Sequence, residues 1–463
     1  MKPYSRFPIS LLLCLLLAGS TTPVLSQTTV PDSLRSSHLK ASDSLAPTPT
    51  ASAELNRLVG LDAAARQSGD SITRLKIALQ VRTLLNDAGD GILAVAHAYS
   101  VLKDSTKVFE SLTDYARLGL GDKRICNGED KKFTWLAGNP RFTAICRLMK
   151  KNTKPVSRAT RILNFRDTGY LPEDIEYDSQ ERSFLFTSVL QPAIFRLTAD
   201  GSCRKFAASS SSWPMMAIKI DQRKGLVWAT EMAIPGFGGH ADTAKGWSAV
   251  CCFDLHSGKL KERFEAPEGA QWGDMILNSQ GAPIVCDGQS GAIFRLRQKV
   301  WERLDKGDFI SPQTPALTAD GKYLIVPDYV RGLAVMDIGT GSVTWIQNHP
   351  KDPCALNGVD GAYLVKDKLY LTQNGVNPER VVEVQLDSTL RKVTGHTVIE
   401  RATPELGDPT HGVVVGGSFY YIANSGWDAL DQHGRQVGRM TRPSLMRYRI
   451  ATPQLTAGSK VLP

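Results

Sequence analysis

Beyond its first residues this sequence carries no apolar run long enough to span a bilayer. It has no HExxH, no GxSxG, and no GxxxxGKS or GxxxxGKT, so the common zinc-protease helix, serine elbow and phosphate loop are excluded. "GQSGA" at 288–292 lacks the elbow spacing, and "GFGG" at 236–239 lacks the following helix that nucleotide binding needs. Cysteine is scarce, 8 in 463 residues, with no CxxC or CxxCH, which removes structural zinc and covalent haem. There is also no block of basic residues. The formal charge of +9 comes from 55 Lys+Arg scattered against 46 Asp+Glu, without the basic, aromatic-interleaved stripe of a nucleic-acid binder.

What is present begins with "MKPYSRFPISLLLCLLLAGSTTPVLSQ", a basic start, an apolar run from Ile9 to Ala18, and small or polar residues to Ser26. That reads as a secretory signal peptide over 1–26, cut before Gln27, and predicts a secreted or periplasmic protein without a membrane segment after cleavage. Loss of Lys2 and Arg6 leaves +7. Of the seven cysteines that remain, Cys126 and Cys146 are the one pair expected to form a disulfide in an oxidising compartment.

Residues 27–52 are rich in Ser, Thr and Pro and read as a disordered linker. Helical spacing follows over 53–153. Leu55, Leu58, Leu61 and Ala65 make one stripe; Leu75, Ile77, Ala78, Val81 and Leu84 a second; Ile92, Ala96, Tyr99 and Leu102 a third; Val108, Leu112, Tyr115 and Leu118 a fourth. Gly69, Gly89 and Gly119 are placed as C-terminal caps. Paired helices of this length suggest a tetratricopeptide-like stack, a surface suited to a protein partner. His97, on an apolar face, reads as a core histidine.

From residue 160 to 450 the pattern changes to short β-rich runs that repeat. "PEDIEYDSQERSFLFTS", "MMAIKIDQRKGLVWATE", "GDMILNSQGAPIVCD", "TPALTADGKYLIVPDY", "VDGAYLVKDKLYLTQNG" and "PTHGVVVGGSFYYIANSGW" are each strand, polar turn, apolar strand. Their turn anchors, Asp178, Asp221, Asn278, Thr318, Val365 and Gly416, lie 43, 57, 40, 47 and 51 residues apart. That is a propeller period of roughly 40–50 residues, so the fold class is mainly β: a six-bladed β-propeller preceded by a small α-helical repeat domain. "TRILNF" at 160–165 falls outside the six units and is expected to complete the last blade. Residues 451–463 read as a flexible tail.

In a propeller, the starts of the inner strands converge on one mouth. The position five before each anchor supplies Glu173, Met216, Gly273, Gln313, Asp360 and His411, with Asp274 beside Gly273. Carboxylate and amide oxygens suit a hard divalent cation, Ca²⁺ before Mg²⁺, Mn²⁺ or Zn²⁺. Asp174 and Glu176 read as solvated strand positions. His240, in the long insert "PGFGGHADTAKGW", reads as part of a lid or of a solvated loop. Asp328-Tyr329 and Asn374-Gly375 read first as turns between strands, second as rim of the pocket.

These motifs resemble those of the gluconolactonase, senescence marker protein and luciferin-regenerating enzyme family, and more distantly the paraoxonases. "PED" at 172–174 is similar to the family's metal-binding E-G-P, and "NGVDGAYL" at 357–364 to its P-D-G-M. "SPQTPALTADGKYLIVPDY" resembles the N-G-L segment and "WGDMILNSQGAPIVCD" the N-D-G segment, with Gln313 and Gly273 where the family has Asn. The resemblance implies a metal set of Glu173, Gln313, Asp360 and Asp274, with Asp360 also the catalytic base. It implies hydrolysis of a small-molecule lactone or ester. His411 is either a structural histidine or, by the paraoxonase comparison, an acid–base group. The alternative is a non-enzymatic binding propeller with a helical interaction domain.

Overall fold

The computed structural model describes residues 49–237, 247–431 and 433–450. The signal-peptide reading, nearly all of the expected linker, His240 and the expected tail lie outside the described residues. The first element, α1 (Ala51–Gln67), is capped by the Thr50 side chain and already includes the last two residues expected to be linker. It packs on α2 (Ser71–Leu84), which packs on α3 (Gly89–Val101). Next come α4 (Ser105–Arg117), α5 (Lys123–Cys126) and α6 (Pro140–Asn152), the last lying back against α4. The expected stripes supply most of the core, while Leu61 faces solvent at 44% exposure and Leu75 and Leu102 are half-buried outside it. Gly69 and Gly119 do end helices in the left-handed conformation. Gly89 instead opens α3, and the preceding helix is stopped by Asn86 and Asp87 at φ 53° and 57°, residue types that tolerate this region. A disulfide joins Cys126 to Cys146, tying α5 to α6 as expected. Among the described residues, no helix is long and apolar enough to cross a membrane.

Among the described residues, twenty-five strands follow, in six antiparallel sheets. Blade 1 is β3 (Pro172–Asp178), β4 (Ser183–Ser188), β5 (Ala193–Leu197) and β6 (Cys203–Ala208). Blade 2 is β7 (Met215–Asp221), β8 (Leu226–Met232), β9 (Ser248–Asp254) and β10 (Leu260–Glu265). Blade 3 runs β11 (Trp272–Leu277) to β14 (Val300–Arg303), and blade 4 β15 (Ala316–Leu317) to β18 (Val343–Trp345). Blade 5 is β19 (Val359–Val365), β20 (Lys368–Gln373), β21 (Arg380–Leu386) and β22 (Val393–Arg401), with β1 (Val156–Ser157) added outside. Blade 6 is β23 (Gly412–Val415), β24 (Ser418–Ile422) and β25 (Ser444–Arg449), completed by β2 (Thr160–Asn164). The early strand therefore closes the ring, as its place outside the six repeats predicted.

The anchors work as turn residues. Asp178 Oδ1 accepts the N–H of Gln180 and Glu181, Asp221 Oδ1 those of Arg223 and Lys224, and Asn278 Oδ1 those of Gln280 and Ala282. Each blade interface is filled by aliphatic and aromatic side chains, Phe165, Ile175, Phe186 and Leu445 between blades 6 and 1 among them. The helical layer does not stand apart from the ring. Ile310 and Val330 join the α1–α2 core, while Ala355 and Val376 join the α3–α6 core. All four residues lie in loops of blades 4 and 5 at the mouth where the inner strands begin.

Candidate metal centre at the propeller mouth

Four inner strands share one local irregularity. The pairing slips between Pro172 and Ile175, Met215 and Ile218, Trp272 and Asp274, and Val359 and Gly361. Such a bulge turns side chains away from the pleat, and here it turns them into the channel. Threonines of the second strand fill the gap. Thr187 Oγ1 accepts from Asp174 N at 3.0 Å, Thr230 Oγ1 from Ala217 N at 2.9 Å, and Thr372 Oγ1 from Gly361 N at 3.1 Å. The bulge positions are thus Glu173, Met216, Gly273 and Asp360. Gln313 and His411 precede the shorter inner strands β15 and β23.

The ring brings three of these together. One ligand atom each from Glu173, Asp360 and His411 lies within 4.8 Å of the others, and all three residues are buried. The two carboxylates are held from outside the inner ring. Trp427 Nε1 donates to Glu173 Oε2 at 2.6 Å, and Asn374 Nδ2 donates to Asp360 Oδ2 at 2.8 Å and to Pro409 O at 2.7 Å. Tyr329 in turn donates its hydroxyl to Asn374 Oδ1 at 2.9 Å. The turns at 328–329 and 374–375 therefore do rim the site.

His411 lies at 3.1 Å from Glu173 O through Nδ1 and at 3.1 Å from Asp274 Oδ1 through Nε2. A carbonyl only accepts, so Nδ1 carries a proton, and the carboxylate asks for a second on Nε2. Burial alone would push this imidazole's pKa down, but Asp174, Asp274 and Asp360 outweigh it and raise the value to about 10. His411 is a cation here. Thr314 Oγ1 donates to the same Asp274 oxygen at 2.7 Å. Asp274 is thus the histidine's partner, outside the Glu173–Asp360–His411 group. Gln313 is also at the mouth, with its amide nitrogen turned to Ser311 O at 3.3 Å and Ser311 Oγ at 3.1 Å.

Asp174 and Glu176 correct the solvated reading. Asp174 is fully buried, and its Oδ2 accepts from Ile218 N at 2.9 Å and from Lys219 Nζ at 2.6 Å. Glu176 lies 3.6 Å from the same ammonium. Burial lifts its carboxyl to about 7, with Lys219 opposing and Asp174 adding to the shift. Among the described residues the channel gathers five carboxyl groups, Glu173, Asp174, Glu176, Asp274 and Asp360, beside Lys219 and His411, and burial raises the pKa of both Glu176 and Asp274. A Ca²⁺ with oxygens at about 2.3–2.6 Å bridges atoms up to roughly 5 Å apart, so the spacing of Glu173 and Asp360 fits one.

Asn374 and Tyr329 were read as turn residues and only second as pocket rim, and Trp427 and Lys219 were not read as site residues. A signal for the first two existed. Gln373 pairs with Val359 and Asp328 bridges Pro312, so Asn374 and Tyr329 each come one residue after the partner of a strand-start position. Trp427 had none, because it sits in the long connection between β24 and β25.

No family model matches this chain, and no curated protein matches it. Among solved structures it is similar to regucalcin, a calcium-binding protein from Agrobacterium tumefaciens, at 15% identity over 64% of this chain and 94% of that one, with TM-score 0.44. It is similar to a gluconolactonase from Xanthomonas campestris at 13% identity, 63% and 94% coverage and TM-score 0.42. Virginiamycin B lyase from Staphylococcus aureus is similar at 14% identity, 63% and 88% coverage and TM-score 0.40.

Proposed function

We propose that this protein is an exported hydrolase that opens a lactone or related ester with a divalent cation, Ca²⁺ first, at the propeller mouth. The observation that carries the reading is the buried pair Glu173 and Asp360, which offer carboxylate oxygens within 4.8 Å of each other. Glu173 and Asp360 would hold the cation, since the protons on His411 leave its ring no lone pair to offer. Bound there, a divalent cation polarises a carbonyl and stabilises negative charge on its oxygen. Asp360, oriented by Asn374, takes the proton from the attacking water as general base. His411 keeps a proton at Nε2, steadied by Asp274 and Thr314, to meet the alkoxide that leaves the ring. Val189, Met216, Met232 and Phe237 form a buried apolar cluster on the blade 1–2 side, with Trp427 packed against it.

Elemental analysis and calcium titration of the purified protein, with a lactone panel, test this. Asp360→Asn should lower kcat by roughly 10²–10⁴, and Glu173→Gln should weaken calcium binding. A protein that takes up no divalent cation, or activity indifferent to both changes, would sink the reading.

A second reading follows from Gln313 and Asp274, whose polar atoms are engaged with Ser311 and with His411 and Thr314. With the Asp274 oxygen so occupied, the mouth would bind a ligand without turnover, and the helical layer would engage a protein. Saturable ligand binding without hydrolysis across the panel would favour it.

A further inference from the structure

The helical layer touches the ring where the candidate ligands are held. Tyr329 packs its ring against the α1–α2 core of Leu55, Leu58, Val81 and Leu85, while its hydroxyl reaches Asn374 and through it Asp360. Its backbone is fixed on both sides, Tyr329 N donating to Ser311 O at 2.8 Å and Gly358 N to Tyr329 O at 2.7 Å. There is no slack around it. A methyl group on Gly375 would sit 2.5 Å from Tyr329 Cζ and 2.6 Å from Gly358 Cα. The same loops are pinned by the helices. Arg331 Nε donates to Leu84 O at 2.8 Å, Ala355 N to Leu118 O at 3.0 Å, and Gly121 N to Asn377 O at 2.9 Å.

We infer that the helical layer positions Asp360 through the Tyr329–Asn374 pair, so that helix docking and cation binding at the mouth are coupled. This rests on the cation-site reading above. Tyr329 is a positioning residue: its hydroxyl acts on Asp360 through Asn374. Hydrogen-bond partners behind a metal ligand typically set affinity by 10–100-fold. Coupling of this kind is reciprocal, so a bound cation must also steady the helices. A partner that grips or loosens α1 and α2 would thereby alter the cation site.

The test uses Tyr329→Phe in the full chain, which keeps the ring and its packing and removes only the hydroxyl. Calcium titration should show affinity reduced on the order of 10-fold. Hydrogen exchange should show two further effects. Residues 357–361 exchange faster in the variant without calcium, and the slowing that calcium produces in α1 and α2 of the wild type is lost. Unchanged exchange at 357–361 overturns the inference, whatever the metal result. Unchanged calcium affinity in the variant overturns it as well. A wild type that takes up no calcium defeats the cation reading and the coupling to it, while the exchange at 357–361 still decides whether Tyr329 positions Asp360.

Discussion

A single ammonium, Lys219, holds two carboxylates at the axis, and they fare differently. Asp174 has a backbone N–H besides Lys219 at 2.6 Å, whereas Glu176 stands 3.6 Å away. Unfolded, the Glu176 carboxyl would titrate near its ordinary 4.5; folded, burial raises it to about 7. The folded chain therefore binds this proton more tightly. Its contribution is most favourable below pH 4.5 and is lost as the pH rises through about 7. Since 18% of the side chain still reaches solvent, the loss is worth about 1–2 kcal/mol rather than the full shift. Glu176→Gln should remove it: urea unfolding should find variant and wild type alike near pH 4.5, and the variant more stable by that amount above pH 8. Parallel curves across that range would mean that Lys219 keeps Glu176 ionised.

The inner strand with its bulge is the element that makes the site, and the threonine behind it is what keeps the bulge open. Thr230 shows this best, because it serves two blades. It accepts from Ala217 N at 2.9 Å and donates to Gly273 O, on blade 3, at 3.2 Å. Thr230→Val keeps the shape and strands both backbone groups, at a cost of about 2–4 kcal/mol in urea unfolding. A loss under half a kcal/mol would show that water replaces the hydroxyl. Much of this element was legible in the sequence. Its period, its turn residue and the six mouth positions follow from counting, because a repeat imposes the same backbone on each copy. The bonds between copies were not legible. Asp174 with Lys219, Trp427 with Glu173 and Tyr329 with Asn374 each join segments far apart in sequence, and only the closed ring sets their spacing. Gly89 failed for another reason: Asn86 and Asp87 can also take the left-handed conformation that ends a helix.

At the scale of the whole molecule, the order of the chain couples the helical layer to closure of the ring. The segment leaving α6 first lays β1 on blade 5 and then β2 on blade 6, so the propeller is sealed by the residues that follow the helices. The seal continues past β2. Phe165 N donates to Pro443 O at 2.9 Å, and its fully buried ring meets Phe186 of blade 1 edge-on at 5.0 Å. Phe165 is thus one of the side chains that fasten the last blade to the first, beside Ile175 and Leu445. Phe165→Ala opens a cavity at the seam, and cavities of this size in a packed core cost about 3–5 kcal/mol. Because a ring with one weak seam loses its support on both sides together, the loss should appear as a single transition moved to lower temperature. A separate early transition confined to blade 6 would instead mean that the other five blades stand without the seal. Calorimetry distinguishes the two outcomes.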